Sequence, residues 1–63
     1  MYTVISNNLI RDCESIELAI QVAANTVYAS NNTKKLAKKE LEEKKNTQWS
    51  YGFSTIQIVL KEI

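Results

Sequence analysis

The chain has no proline and no histidine, and it has a single glycine and a single cysteine. Each absence removes a class of chemistry. Without histidine, the common zinc-ligand spacings and the Ser-His and Cys-His arrangements of nucleophilic catalysis cannot be assembled. One cysteine, Cys13, permits no internal disulfide. It also stands between Asp12 and Glu14, the reverse of the electropositive setting that a reactive thiol needs. These features favour Cys13 as a small apolar side chain. One glycine, Gly52, cannot build a phosphate-cradling loop. No apolar run approaches the length of a membrane span, and the first residues lack the charged and apolar regions of a signal peptide. The expectation is a cytoplasmic protein with no membrane contact. The net charge of +1 gives no whole-molecule attraction for nucleic acid or anionic lipid.

What remains is one domain, residues 1–63, of a size that is marginal on its own. Small chains escape that limit through disulfides, a metal or self-association. Only the last is open here, so a homodimer is expected. Lysine, asparagine and isoleucine are abundant, and all three have A/T-rich codons. That composition points to a low-GC genome, bacterial or phage.

Residues Tyr2 to Ser6 carry β-branched and aromatic side chains and are followed by Asn7 and Asn8, which tolerate the positive φ of a tight turn. A second strand from Leu9 to Cys13 completes a β-hairpin. Ser15 then reads as a helix N-cap, with Glu17 in the first turn where the dipole favours an anion. Ile16, Ile20, Ala23 and Val27 recur on one helical face, with Ala19 beside them, while Leu18 and Val22 widen the apolar arc. Ser30 to Thr33 reads as a break, since these residues compete for backbone hydrogen bonds, and leaves either two helices or one kinked helix. The next segment, KKLAKKELEEKK, is helical by propensity, with only Leu36, Ala37 and Leu41 to bury. A last strand begins near Trp49.

The expected fold class is α+β: an N-terminal hairpin, one or two helices and a C-terminal strand (ββα(α)β), with a three-stranded, mostly antiparallel sheet packed on a helix. In the last strand the large apolar residues switch parity. Trp49, Tyr51 and Phe53 are odd, whereas Ile56, Ile58 and Leu60 are even. Read as one strand, this demands a bulge near Gly52 to Ser54 or burial of both faces. Burial of both faces turns Val59 outward and calls for a covering partner.

No arrangement of residues suggests catalysis. Glu40, Glu42 and Glu43 stand among lysines as surface ion-pair partners, with Glu40 and Lys44 in the favourable order, so the chain is read as a non-enzyme with no cofactor or metal. Lys34, Lys35, Lys38 and Lys39 crowd the positive end of the second helix, against the dipole. They are the candidate contacts for an anionic partner, although such runs are usually solvated faces. The aromatics Trp49, Tyr51 and Phe53 are read as core. The candidate protein interface is Leu18, Val22, Trp49, Tyr51 and Val59. The expected function is a small interaction protein that binds itself and a larger protein, such as a phage- or mobile-element-encoded inhibitor or regulator of a host defence protein. The alternatives are a nucleic-acid-binding accessory protein using the basic segment Lys34–Lys45, and an oligomeric binder of an anionic small molecule.

Overall fold

The computed structural model describes residues 1–7 and 9–61. In chain order its elements are β1 (Tyr2–Ser6), β2 (Leu9–Cys13), α1 (Ile16–Thr26), α2 (Asn31–Lys44), β3 (Asn46–Tyr51) and β4 (Ser54–Leu60). The strands form one antiparallel sheet in the order β2-β1-β4-β3. This is the expected α+β class, with four strands where the sequence led us to expect three.

The fourth strand explains the parity switch. Residues 46–60 are a hairpin, in which Tyr51 faces Ser54 across a loop of Gly52 and Phe53. Gly52 has φ 64, and a glycine at the first position of a two-residue loop gives a turn that matches strand twist. This register sets odd positions of β3 against even positions of β4, Thr47 against Ile58 and Trp49 against Ile56. Both sets therefore lie on one face of the sheet. Neither a bulge nor burial of both faces is needed, because the chain reverses at the point where the pattern slips.

The first hairpin lies where the sequence places it, with Ser6 facing Leu9 and Tyr2 facing Cys13. The turn role expected of Asn8 lies outside the described residues. α1 begins at its expected cap, Ser15, whose side-chain oxygen accepts the Leu18 N–H at 3.1 Å. The break lies earlier than the expected Ser30 to Thr33: residues 27–30 separate two helices, and Asn31, Asn32 and Thr33 form the first turn of α2. Ser30 caps α2 by accepting the Thr33 N–H at 3.2 Å.

Both helices cover the same face of the sheet, α1 over β1, β2 and β4, and α2 over β3 and β4. Between these layers lie Val4, Cys13, Ile56 and Ile58 from the strands, Ala19, Ile20, Ala23 and Val27 from α1 and the residue after it, and Ala37 and Leu41 from α2. Leu36, expected inside, is 58% exposed. It lies on the flank of α2 rather than the stripe occupied by Ala37 and Leu41, and a helix with two buried positions grips too narrow an arc to cover it. Among the described residues the opposite face of the sheet has no layer over it. Thr3, Ile5, Ile10, Asp12, Gln48, Gln57 and Val59 share it by register. Thr3 is buried there beside Asp12, whose Oδ1 accepts its hydroxyl at 2.8 Å, while Ile5 and Val59 are half-buried.

Candidate interaction surface

The fold gathers unlike chemistry at its two ends. The β1-to-β2 connection, the Gly52-Phe53 loop and the end of α1 lie together. Ser6, Asn7, Leu9, Thr26, Val27, Ser54 and Thr55 line one hollow there, which fixes the arrangement. At this loop end three of the five aromatic side chains (one Trp, three Tyr, one Phe in all) stand in solvent. Phe53 is 105% exposed at the turn, as open as a side chain in an extended peptide. Tyr51 and Tyr28 are 63% and 61% exposed, and their rings meet with centroids 5.1 Å apart and planes tilted by 56°. That geometry falls within the range of favourable aromatic pairs.

Trp49 anchors this cluster. Its ring is half-buried against the core, and its Nε1–H donates to the Val27 carbonyl at 3.2 Å. This bond ties β3 to the segment between the helices and so positions Tyr28 over Tyr51. The reading of all three late aromatics as core thus holds only for Trp49. Tyr51 shares its face by alternation but lies beyond the edge of the helical layer, and Phe53 belongs to the turn. Sequence reasoning missed Phe53 as a surface residue, whereas helical spacing sets Tyr28 on the polar side with Glu17, Gln21 and Asn25, and it is exposed. The cue for Phe53 was the lone glycine between two apolar runs, which reads as a two-residue hairpin loop.

Among the described residues the helical carboxylates keep away from this end. Glu14 and Glu17 lie at the start of α1, and Glu40, Glu42 and Glu43 lie in the second half of α2. Lys34 and Lys35 follow the N-terminus of α2, close in sequence to Tyr28. All four lysines singled out from the sequence are exposed. Among the described residues the one ion pair is Lys38 with Glu17, at 3.8 Å and open to solvent. Glu40 does not pair with Lys44. Its Oε1 accepts the buried Thr47 hydroxyl at 2.7 Å and so ties α2 to β3.

The proposed interface residues do not form one surface. Leu18 is exposed on α1 and Val22 packs against the core. Val59 lies on the far, uncovered face of the sheet, and β4 is a central strand with both edges paired. Leu18 and Val22 lie one turn apart on α1, and Trp49 and Tyr51 lie together on β3. Cys13 is buried within the core cluster. On the uncovered face a hollow of about 560 Å³ is lined by Ile5, Gln48, Ser50, Thr55 and Gln57 among others. Its amide and hydroxyl groups can hydrogen-bond, but its lining holds no acid, base or thiol. Among the described residues no group of acidic, cysteine or histidine side chains is placed to hold a metal, and no helix is long and apolar enough to cross a membrane.

Comparison of the chain with protein-family models, with curated proteins and with solved structures finds no match in any of the three.

Proposed function

We propose that this chain is a non-enzymatic binding protein that acts by occupying a surface of a larger protein, as an inhibitor or regulator, with its aromatic end as the contact. The observation that carries this reading is the exposure of Phe53, Tyr51 and Tyr28 on a braced hairpin end. Aromatic side chains bring the largest apolar area per residue to an interface, and few torsions are frozen when they dock. A two-residue loop beside a hydrogen-bonded Trp49 holds them ready, so little ordering is left for the binding step. The A/T-rich-codon composition supports a bacterial setting, with the chain encoded by a phage or mobile element and the partner by its host.

Affinity capture from such a host after nuclease treatment, read by mass spectrometry, tests this with wild type and Phe53→Ala side by side. Phe53 is fully exposed and stands outside the core cluster, so the variant is expected to keep the fold. The expected result is a protein retained by wild type and depleted about tenfold or more by the substitution, the loss a central aromatic anchor commands. Equal retention by both proteins would overturn the reading.

Lys34, Lys35 and Lys39, which have no ion-pair partner among the described residues, favour a nucleic acid as the second reading. Capture without nuclease decides between the two. Phosphate contacts weaken steeply with salt, whereas an aromatic contact barely responds.

A further inference from the structure

The two edges of the sheet are defended differently. β2, at one edge, carries Arg11 and Asp12, and charges on an edge strand discourage pairing with another chain. β3, at the other edge, reads NTQWSY, six residues with no charge and no proline. Its hydrogen-bonding parity follows from the hairpin. Tyr51 and Ser54 flank a two-residue loop and so exchange bonds, and the Leu60 N–H bonds the Lys45 carbonyl at 2.8 Å at the far end of the same ladder. Odd positions of β3 therefore bond inward to β4. The N–H and C=O groups of Asn46, Gln48 and Ser50 point away from the sheet, and no strand lies beyond them among the described residues.

From this we infer that β3 is a self-pairing edge, and that two copies of this chain join antiparallel through it into a continuous eight-stranded sheet. A two-fold contact sets a patch against itself, so a charge on the axis faces its like. β3 has none to repel. Centring the axis on Gln48 sets Gln48 against the partner's Gln48 and Asn46 against the partner's Ser50. All three outward-facing residues then exchange both bonds, and their amide and hydroxyl side chains meet on the uncovered face. Moving the axis one residue toward Trp49 leaves Asn46 opposite the partner's Gly52, outside the strand. Exposed apolar residues border the same edge. Glu40 reaches over to Thr47 of β3, and Leu36, one helical turn earlier, lies on that same flank of α2. Tyr51 stands at the end of the strand. A second copy covers what the monomer leaves open along this side. The joint leaves Phe53 free and places the two aromatic ends at opposite ends of the dimer.

Sedimentation equilibrium across micromolar to millimolar concentration, on wild type, Gln48→Lys and Gln48→Pro, tests the inference. The wild type is expected to reach twice the 7.2 kDa chain mass. Gln48→Lys keeps the N–H but plants like charges across the axis, and it is expected to raise the dissociation constant by about tenfold or more. Gln48→Pro removes an N–H that β4 does not use, so it spares the hairpin while abolishing the dimer. Circular dichroism confirms that each variant remains folded. As a second readout, amide exchange at Gln48 and Ser50 slows as wild-type concentration rises. A wild type of single-chain mass at millimolar concentration overturns the inference and leaves the edge for a strand of another protein. A dimer indifferent to both substitutions overturns it too.

Discussion

The two helices hold to the sheet in unlike ways. α1 buries Ala19, Ile20 and Ala23, with Val27 just past its end, so its grip is spread over several small side chains. α2 is longer, yet it buries only Ala37 and Leu41, and Leu41 is among the largest fully buried side chains of the described residues. A helix held at many small points loses a fraction of its grip to any one substitution. A helix held at one large point loses most of it. Leu41→Ala is therefore expected to cost about 3–5 kcal/mol, the upper part of the range for a buried leucine. That is as much as a core of this size supplies, so the variant should be largely unfolded at room temperature. Ile20→Ala, at a site that keeps some exposure and has Ala19 and Ala23 beside it, is expected to cost about 2–3 kcal/mol. Urea titration followed by circular dichroism compares the two. If Ile20→Ala proves the costlier, α2 does not depend on a single side chain.

The same contrast explains how much could be read from the sequence. The start and the buried face of α1 were legible because its periodicity is sustained and Ser15 and Glu17 mark its start, but its end was not, since the helix stops at Thr26, ahead of the expected break. The first hairpin was legible from alternation and the paired asparagines. The second hairpin was missed because its only punctuation is one glycine, and the residue after it, Phe53, looks like strand rather than turn. Once the reversal at Gly52 is allowed, the parity switch becomes the register of a hairpin. The end of α2 carries no glycine or proline either. It stops at Lys45 in the left-handed region, φ 67, with the Asn46 side chain donating to the Lys44 carbonyl. Exposure was the least legible property. Leu36, Tyr51 and Phe53 are residue types that belong inside, and only the narrow docking of α2 and the position of the turn leave them out. An interface of Leu18, Val22 and Val59 was expected from the wide apolar arc of α1 and from burial of both faces of the last strand, which the reversal at Gly52 makes unnecessary. Pairing with β1 on one side and β3 on the other makes β4 central.

The caps sharpen the comparison at a smaller scale. Both helices begin at a serine, but α1 has Glu17 in its first turn to favour the helix dipole and α2 has no acidic residue there. Ser30 also does more than Ser15. Besides capping Thr33, its hydroxyl shares a hydrogen bond with the Thr33 hydroxyl at 3.0 Å in a partly buried setting, whereas the Ser15 bond is exposed. Ser30→Ala is expected to cost about 1–2 kcal/mol and Ser15→Ala about 0.5–1. Paired thermal melts measure the difference. Equal losses would mean that the dipole and the second hydrogen bond add nothing at Ser30.

The smallest effect is expected where the sequence is most conspicuous. Replacing Lys34, Lys35, Lys38 and Lys39 with glutamine removes four cations from α2, of which Lys34 and Lys35 are the nearer to an N-terminal end that is already positive. One of them, Lys38, gives up an exposed contact with Glu17, and exposed pairs of this kind contribute little. Glutamine is nearly as good a helix former as lysine, and none of the four side chains lies in the core. The melting temperature should therefore stay level or rise slightly, with any rise shrinking as salt screens the repulsion it relieves. A clear fall in melting temperature would make the lysines structural and end the picture of α2 as a helix held by Leu41 and Ala37 alone. A level melting temperature combined with a lost partner would assign the lysines to binding. The aromatic end would then be one part of a contact that continues along α2, from Tyr28 past Lys34 and Lys35.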